Sequence, residues 1–250
     1  MNQSATDSPA VSGFQNLDVI ERLQIARRGS SYFAQQLAEL SDADLDEPTL
    51  LPGWTRRHLI AHVGYNAAAL GRLLDWALTG TETPMYASPE HRNQEINEGA
   101  TLNGGALRNL YDHTAARLDH KWRNFPPEAW LSEVRTAQGP TVPASETLWI
   151  RTREVWIHTV DLDGNRRFGD FPGIVIDTLL SDIVSLWRKK GVGHGLVLEV
   201  SGCAPIAVDP DRPTHTTVTG TAAAVVRWAS GRGACRLAIE GPADTPPRWL

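Results

Sequence analysis

Along the first two-thirds of the chain, apolar positions recur at intervals of four and three residues, the period of a helix that buries one face. Val19, Leu23, Ala26, Ser30, Phe33, Leu37 and Leu40 keep this spacing and predict a first helix over 18–40. A polar loop with two prolines follows over 41–52. Thr55 then stands as the N-cap of a second helix, whose apolar face runs Leu59, Val63, Ala67, Leu70, Leu74 and Leu78 to a stop at Gly80. Beyond a Pro- and Thr-rich connection over 81–89, Leu107, Leu110, Thr114, Leu118 and Trp122 give a third helix, closed by Pro126-Pro127. Gly99 and Gly104-Gly105 set 91–98 apart as a separate short helix, whose asparagines and glutamine read as a solvated face. A fourth helix, capped by Ser145 or a neighbour, runs to about Leu162.

The fourth helix carries the chemistry. Thr147, Arg151, Glu154, His158 and Asp161 fall in one narrow line, spaced four, three, four and three. Leu148, Trp149, Ile150, Val155, Trp156, Ile157 and Val160 cover most of the rest, so the helix is expected to be buried on nearly every side. Ionisable groups in such a seam must be satisfied by partners or change protonation. Glu154 and His158, one turn apart, have the placing of two metal ligands, and His62, on the flank of the second helix, offers a third. Two histidines and one carboxylate form a catalytic zinc set with one position left open. The same spacing also serves a buried His–Glu hydrogen-bonded network or a solvated pair on a surface helix. No His-Glu-x-x-His motif is present, which removes the metalloprotease reading.

At Asp163-Gly-Asn the pattern changes. An amphipathic helix over 174–190 ends at Gly191, and short alternating runs follow at 196–200, 205–208 and 214–219. A helix over 221–229 and a last strand over 235–239 complete the chain. The expected fold class is α+β with two domains: a four-helix bundle over 17–165 and a smaller α+β domain over 168–250. Residues 1–16, rich in Ser, Thr, Asp and Pro, read as a disordered start without the apolar core of a signal peptide.

Composition narrows the function classes. The chain has 250 residues, 41% hydrophobic and 21% charged, an ordinary globular balance. A net charge of −5 gives no footprint for nucleic acid or an anionic membrane. No apolar run approaches the ~18 residues needed to span a bilayer. Cys203 and Cys235 form no disulfide framework, so the expectation is a reduced, cytoplasmic protein.

Two segments carry a family resemblance. Leu51-Pro-Gly-Trp-Thr-Arg-Arg-His-Leu-Ile-Ala-His62 and Arg153-Glu-Val-Trp-Ile-His-Thr-Val-Asp161 resemble the metal-bearing helices of the mycothiol-dependent maleylpyruvate isomerases, a family of the DinB-like metal-binding four-helix bundles. The segment from Gly220 to Arg232 is similar to that family's C-terminal Gly…Trp-x-x-Gly-Arg stretch. The resemblance implies a zinc ion, one per chain, on His62, Glu154 and His158, and a catalytic arginine at Arg232. It also implies mycothiol as thiol cofactor and a dianionic substrate, maleylpyruvate, converted to fumarylpyruvate. In the implied chemistry a thiolate adds to the activated double bond, the bond rotates, and the thiolate leaves. Zinc would deprotonate a thiol whose ordinary pKa near 8.5 leaves it only a few per cent ionised at neutral pH. An arginine fork suits the enolate and carboxylates.

The remaining candidates are secondary. His58 shares a face with His62 but sits at the helix start, where it is solvent-exposed or supports a ligand. Asp161 either orients His158 or makes a helix-end interaction. Arg151 either holds a substrate carboxylate or pairs with an acid. Arg56-Arg57 reads as a solvated face, Trp54 as packing at the helix entrance, and the two cysteines as inert. Two rival functions share the bundle site: a mycothiol S-transferase acting on electrophiles, and a non-enzymatic metal-binding regulatory protein.

Overall fold

The computed structural model describes residues 13–249. It divides into two compact units: Asp18–Arg167, and Phe168–Leu250 together with Leu17 and the described residues before it. Of the expected disordered start, 1–12 lie outside the described residues, whereas Phe14–Asn16 form a 3-10 turn with Phe14 fully buried. The backbone N–H of Phe14 donates to Thr178 Oγ1 (2.9 Å), which ties this turn to the C-terminal unit.

The first unit is a four-helix bundle built from α1 (Val19–Glu39), α2 (Arg56–Thr79), α4 (Gly104–Arg123) and α5 (Glu146–Asp161), with α3 (Pro89–Ala100) packed on α2. Helix α1 opens with a capping box. Glu21 N–H donates to Asp18 Oδ1 (2.8 Å), and Asp18 N–H donates to Glu21 Oε2 (3.1 Å). Helix α2 ends where Gly80 takes a left-handed conformation (φ 71°). The apolar face predicted for α2 stops one turn early: Leu78 is 57% exposed, because the helix has run past the body of the bundle. Between α4 and α5 lies a short antiparallel hairpin, β1 (Glu133–Arg135) with β2 (Thr141–Pro143), which has too little apolar pattern to stand out in the sequence.

Where α1 crosses α5 the backbones come close at Gly29. A Cβ built there would lie 2.6 Å from side-chain atoms of Val155 and Trp156. Glycine is what lets Trp156, 1% exposed, fill this crossing.

The second unit packs α6 (Gly173–Lys190) and α7 (Ala222–Ala229) against a four-stranded sheet of order β4-β3-β5-β6, with β3 Leu196–Val200, β4 Ile206–Ala207, β5 Thr216–Gly220 and β6 Leu237–Glu240. The central β3–β5 pair is parallel and the two outer pairs are antiparallel. Leu198 and Val218, paired on β3 and β5, are wholly buried, as are Leu179, Ile183 and Trp187 of α6. Among the described residues no helix is long and apolar enough to cross a membrane.

Candidate metal centre

The line of polar residues on α5 does face inwards: Thr147, Arg151 and Asp161 are fully buried, and His158 is 9% exposed. Glu154 meets two imidazoles at a single oxygen. Its Oε2 lies 3.0 Å from His62 Nε2 and 3.1 Å from His158 Nε2. The two rings stand 5.0 Å apart at 83° to one another. His62, Glu154 and His158 each offer a ligand atom, all within 4.8 Å of one another.

This donor set fits a zinc ion. Nitrogen and oxygen ligands ~2.0–2.1 Å from a tetrahedral ion stand roughly 3.3 Å from each other, close to the spacing seen here. As a hydrogen-bonded cluster alone the arrangement requires both Nε2 atoms to carry protons towards one carboxylate oxygen. His158 Nδ1 is 2.9 Å from Asp161 Oδ2, so that ring would have to be an imidazolium to donate on both sides.

The electrostatics follow from these contacts. Burial by itself raises the Glu154 carboxyl, but hydrogen bonds from His158 and His62 outweigh it and hold the group well below the usual carboxylate range. Burial dominates for His62, whose pKa is lowered in spite of Glu154. For His158 burial is again the largest single effect, yet Asp161 and Glu154 together raise the pKa above its ordinary value.

Several neighbours hold the ligands in place. Trp54 packs edge-on against the His62 ring at 5.4 Å, so it covers a candidate ligand as well as packing at the helix entrance. Arg56 is no solvated face. Its Nε donates to Leu162 O (2.7 Å) and its Nη2 to Asp163 O (3.3 Å), which ties the start of α2 to the end of α5, the two helices that carry the three candidate ligand residues. Arg57 pairs with Asp46 (2.5 Å) and donates to Leu102 O. His58 serves the helix rather than the site: its Nδ1 accepts from the Thr55 backbone N–H (3.3 Å) and lies 2.9 Å from the Thr55 hydroxyl.

Arg151 is fully buried and borders a cavity of about 450 Å³ together with Tyr111, Asp112 and Asp119. Its Nη1 donates to Val63 O (2.7 Å) and Asn66 Oδ1 (3.0 Å), and its guanidinium carbon sits 6.0 Å from the Tyr111 ring centre. Burial lowers its pKa. The buried cation therefore bridges α5 to α2 across the core.

Helix α3 supplies a neighbour that the sequence pattern did not single out. Asn93, Gln94 and Asn97 are exposed, as a solvated face requires, but Arg92 turns inwards and places Nη2 3.3 Å from His62 Nδ1. An arginine one residue from that polar face carries no periodic signal that would mark it.

In the second unit, Arg232 follows α7 in a Schellman turn. Gly231, at φ 82°, donates to Trp228 O (2.8 Å), and Arg232 N–H donates to Arg227 O (3.0 Å). Arg227 Nε donates to Arg232 O (2.9 Å), and Arg232 Nη1 donates to Ser230 O (2.6 Å). Cys203 and Cys235 are free and exposed.

Comparison with known proteins places both units. A family model described as the mycothiol maleylpyruvate isomerase N-terminal domain matches residues 26–163. A second, described as the MDMPI C-terminal domain, matches 170–248. A crystal structure of the mycothiol-dependent maleylpyruvate isomerase is 50% identical to this chain, with a TM-score of 0.92, over 95% of this chain and 99% of its own. The crystal structure of a histidine-to-alanine mutant of that isomerase is 49% identical, with the same TM-score and the same coverage. No curated protein sequence matches.

Proposed function

The chain belongs to the mycothiol maleylpyruvate isomerase family, and from that premise we propose that it is a zinc- and mycothiol-dependent cis–trans isomerase converting maleylpyruvate to fumarylpyruvate in the cytoplasm. The observation that carries the reading is the identity of 49–50% over 95% of the chain with mycothiol-dependent maleylpyruvate isomerase. The convergence of His62, Glu154 and His158 supports its metal component.

In this reading His62 and His158 through Nε2, and Glu154 through its carboxylate, hold the ion. Bound there, zinc supplies the acidity that keeps a thiol ionised at neutral pH. The chain's own residues do the rest. Asp161 holds the His158 proton on Nδ1 and leaves Nε2 free to bind. Glu154, kept ionised by its surroundings, contributes the one negative charge of the three. Trp54 excludes water from one side of His62. Arg232 is assigned as the catalytic cation that stabilises the negative charge developing on the substrate, on the strength of the family-like stretch from Gly220 to Arg232. No cysteine of the chain is needed as nucleophile, since the thiol comes with mycothiol.

Maleylpyruvate consumption, followed by absorbance with and without mycothiol on zinc-replete and chelator-stripped protein, tests the reading. Consumption that needs both zinc and mycothiol is expected. Zinc binding with no turnover of maleylpyruvate, but conjugation of mycothiol to other electrophiles, would make the chain an S-transferase instead.

A further inference from the structure

We propose that Arg92 grips a carboxylate of the small dianionic substrate beside the metal, an inference that rests on reading His62, Glu154 and His158 as a metal centre. Arg92 lies on α3, the helix outside the four-helix core, and places Nη2 3.3 Å from His62 Nδ1, while Arg153 Nη2 is 4.0 Å from Glu154 Oε1. The Arg92 guanidinium carbon also sits 5.9 Å from the centre of the Tyr86 ring. Tyr86 is close enough to Glu154 to feel its charge, and burial pushes its hydroxyl up to about 12, so it stays neutral. Among the described residues no ion pair joins Arg92 to a carboxylate; its Nη1 donates to the Asn93 side-chain oxygen (3.2 Å), and its guanidinium also hydrogen-bonds the Tyr86 hydroxyl.

A cavity of about 400 Å³ borders Arg92, with Tyr86, Met85, Trp76, Arg135 and the carboxylate of Glu82 among its walls. That is room for a small organic acid. Arg135 is already paired with Glu82 at 2.9 Å, so Arg92 is the cation of this cavity that lacks an acid. A half-buried guanidinium against an aromatic face, next to a hollow, is built to bind a planar anion with two parallel hydrogen bonds.

The contact with His62 strengthens the assignment. An arginine N–H needs a lone pair on Nδ1, whereas a histidine that binds metal through Nε2 carries its proton on Nδ1. Both nitrogens then present hydrogen, so the Arg92–His62 contact and ligation through Nε2 exclude one another. With His62 holding its proton on Nδ1, Arg92 would be free to take a carboxylate as acceptor in place of the imidazole.

The test uses the full chain loaded with zinc and the inert dicarboxylate glutarate, with butyrate as a monocarboxylate control. Arg92→Gln and Arg92→Lys are compared with the unaltered chain for zinc per chain, melting temperature and glutarate affinity by calorimetry. The expected result is full zinc and an unchanged melting temperature in Arg92→Gln, with glutarate bound about 10- to 100-fold more weakly. Arg92→Lys should lose less, and butyrate affinity should change little. In turnover, KM should rise more than kcat falls. Unchanged glutarate affinity in zinc-replete Arg92→Gln, or no measurable glutarate binding to the unaltered chain, would overturn the proposal. Loss of zinc from Arg92→Gln would do so too, since the residue would then be serving His62. The zinc content of the unaltered chain tests the metal centre itself, so the two failures are distinguishable.

Discussion

Asp161 and His158 form a buried pair, with Oδ2 of the acid 2.9 Å from Nδ1 of the imidazole and Asp161 wholly shielded from solvent. The pair lies on one helix face, three residues apart, so the helix that carries the candidate ligand His158 also carries the acid in contact with it. A carboxylate against Nδ1 keeps the proton there, which leaves the Nε2 lone pair pointing at Glu154 and the space shared with His62. Asp161→Asn is expected to weaken zinc binding by about 10- to 100-fold without unfolding the bundle. Competition with a chromogenic chelator measures it, and unchanged affinity would show that Asp161 is only a helix-end contact.

The ligands themselves should separate cleanly from their neighbour. His62→Ala, Glu154→Ala and His158→Ala are each expected to lose stoichiometric zinc and turnover. His58→Ala should keep both while lowering stability by about 1 kcal/mol, because it removes the ring that caps Thr55 at the start of α2. Metal analysis beside thermal melts decides between the two classes. Full zinc in Glu154→Ala with near-native turnover would defeat the assignment.

The metal-free protein should respond to pH in both directions. His158 has its pKa raised, so its contribution is complete below the ordinary value of 6.5 and is lost as pH rises through the raised value. His62 has its pKa lowered, so its contribution is complete above 6.5 and is lost as pH falls. Glu154 adds a further loss in acid, below 4.5. The site's contribution to the melting temperature is therefore largest near pH 6.5, and His158→Gln should flatten its alkaline side. Zinc affinity should fall as pH drops below the raised value of His158, where a proton competes for the ligand. A monotonic profile of the metal-free protein, unaltered in His158→Gln, would contradict the coupling.

Arg232→Lys is expected to keep zinc and thermal stability while losing about a hundredfold or more in kcat, the scale of a missing donor to developing charge. Lysine retains the charge but not the fork. The Schellman turn depends on Gly231 and on backbone groups, so this exchange leaves the turn standing. An unchanged kcat would mean that the second unit gives no catalytic charge through this residue.

The helices of the bundle were readable because burial imposes a period of 3.6, and the seam on α5 stood out because charged residues interrupted an otherwise apolar helix. What stayed hidden depends on geometry between elements. Arg56 reads as one more charge at a helix start, yet two of its three carbonyl partners lie more than a hundred residues away. Arg92 reaches His62 only because α3 lies along α2, a packing that no local pattern encodes. Arg151 offered either a grip on a substrate carboxylate or a pair with an acid, and in the structure its Nη1 donates to a backbone carbonyl and an amide oxygen. The strands of the second unit were visible in outline, whereas the parallel pairing of β3 with β5 follows from the order of the sheet and not from either strand alone.

The crossing at Gly29 bears on where the energy of metal binding goes. Helix α5 supplies two of the three ligand residues and is seated against α1 by Trp156 and Val155, through a gap that holds a hydrogen atom and nothing larger. Such a seat permits neither rotation of α5 about its axis nor a slide along α1 without opening a void. The core thus sets the candidate ligands Glu154 and His158 without an ion, unlike a zinc finger, in which the ion must organise the chain around itself. Chelation should accordingly leave a folded bundle with its tryptophan environment intact. Gly29→Ala, by contrast, should disturb the core by about 1–3 kcal/mol and loosen zinc binding from the far side of the helix.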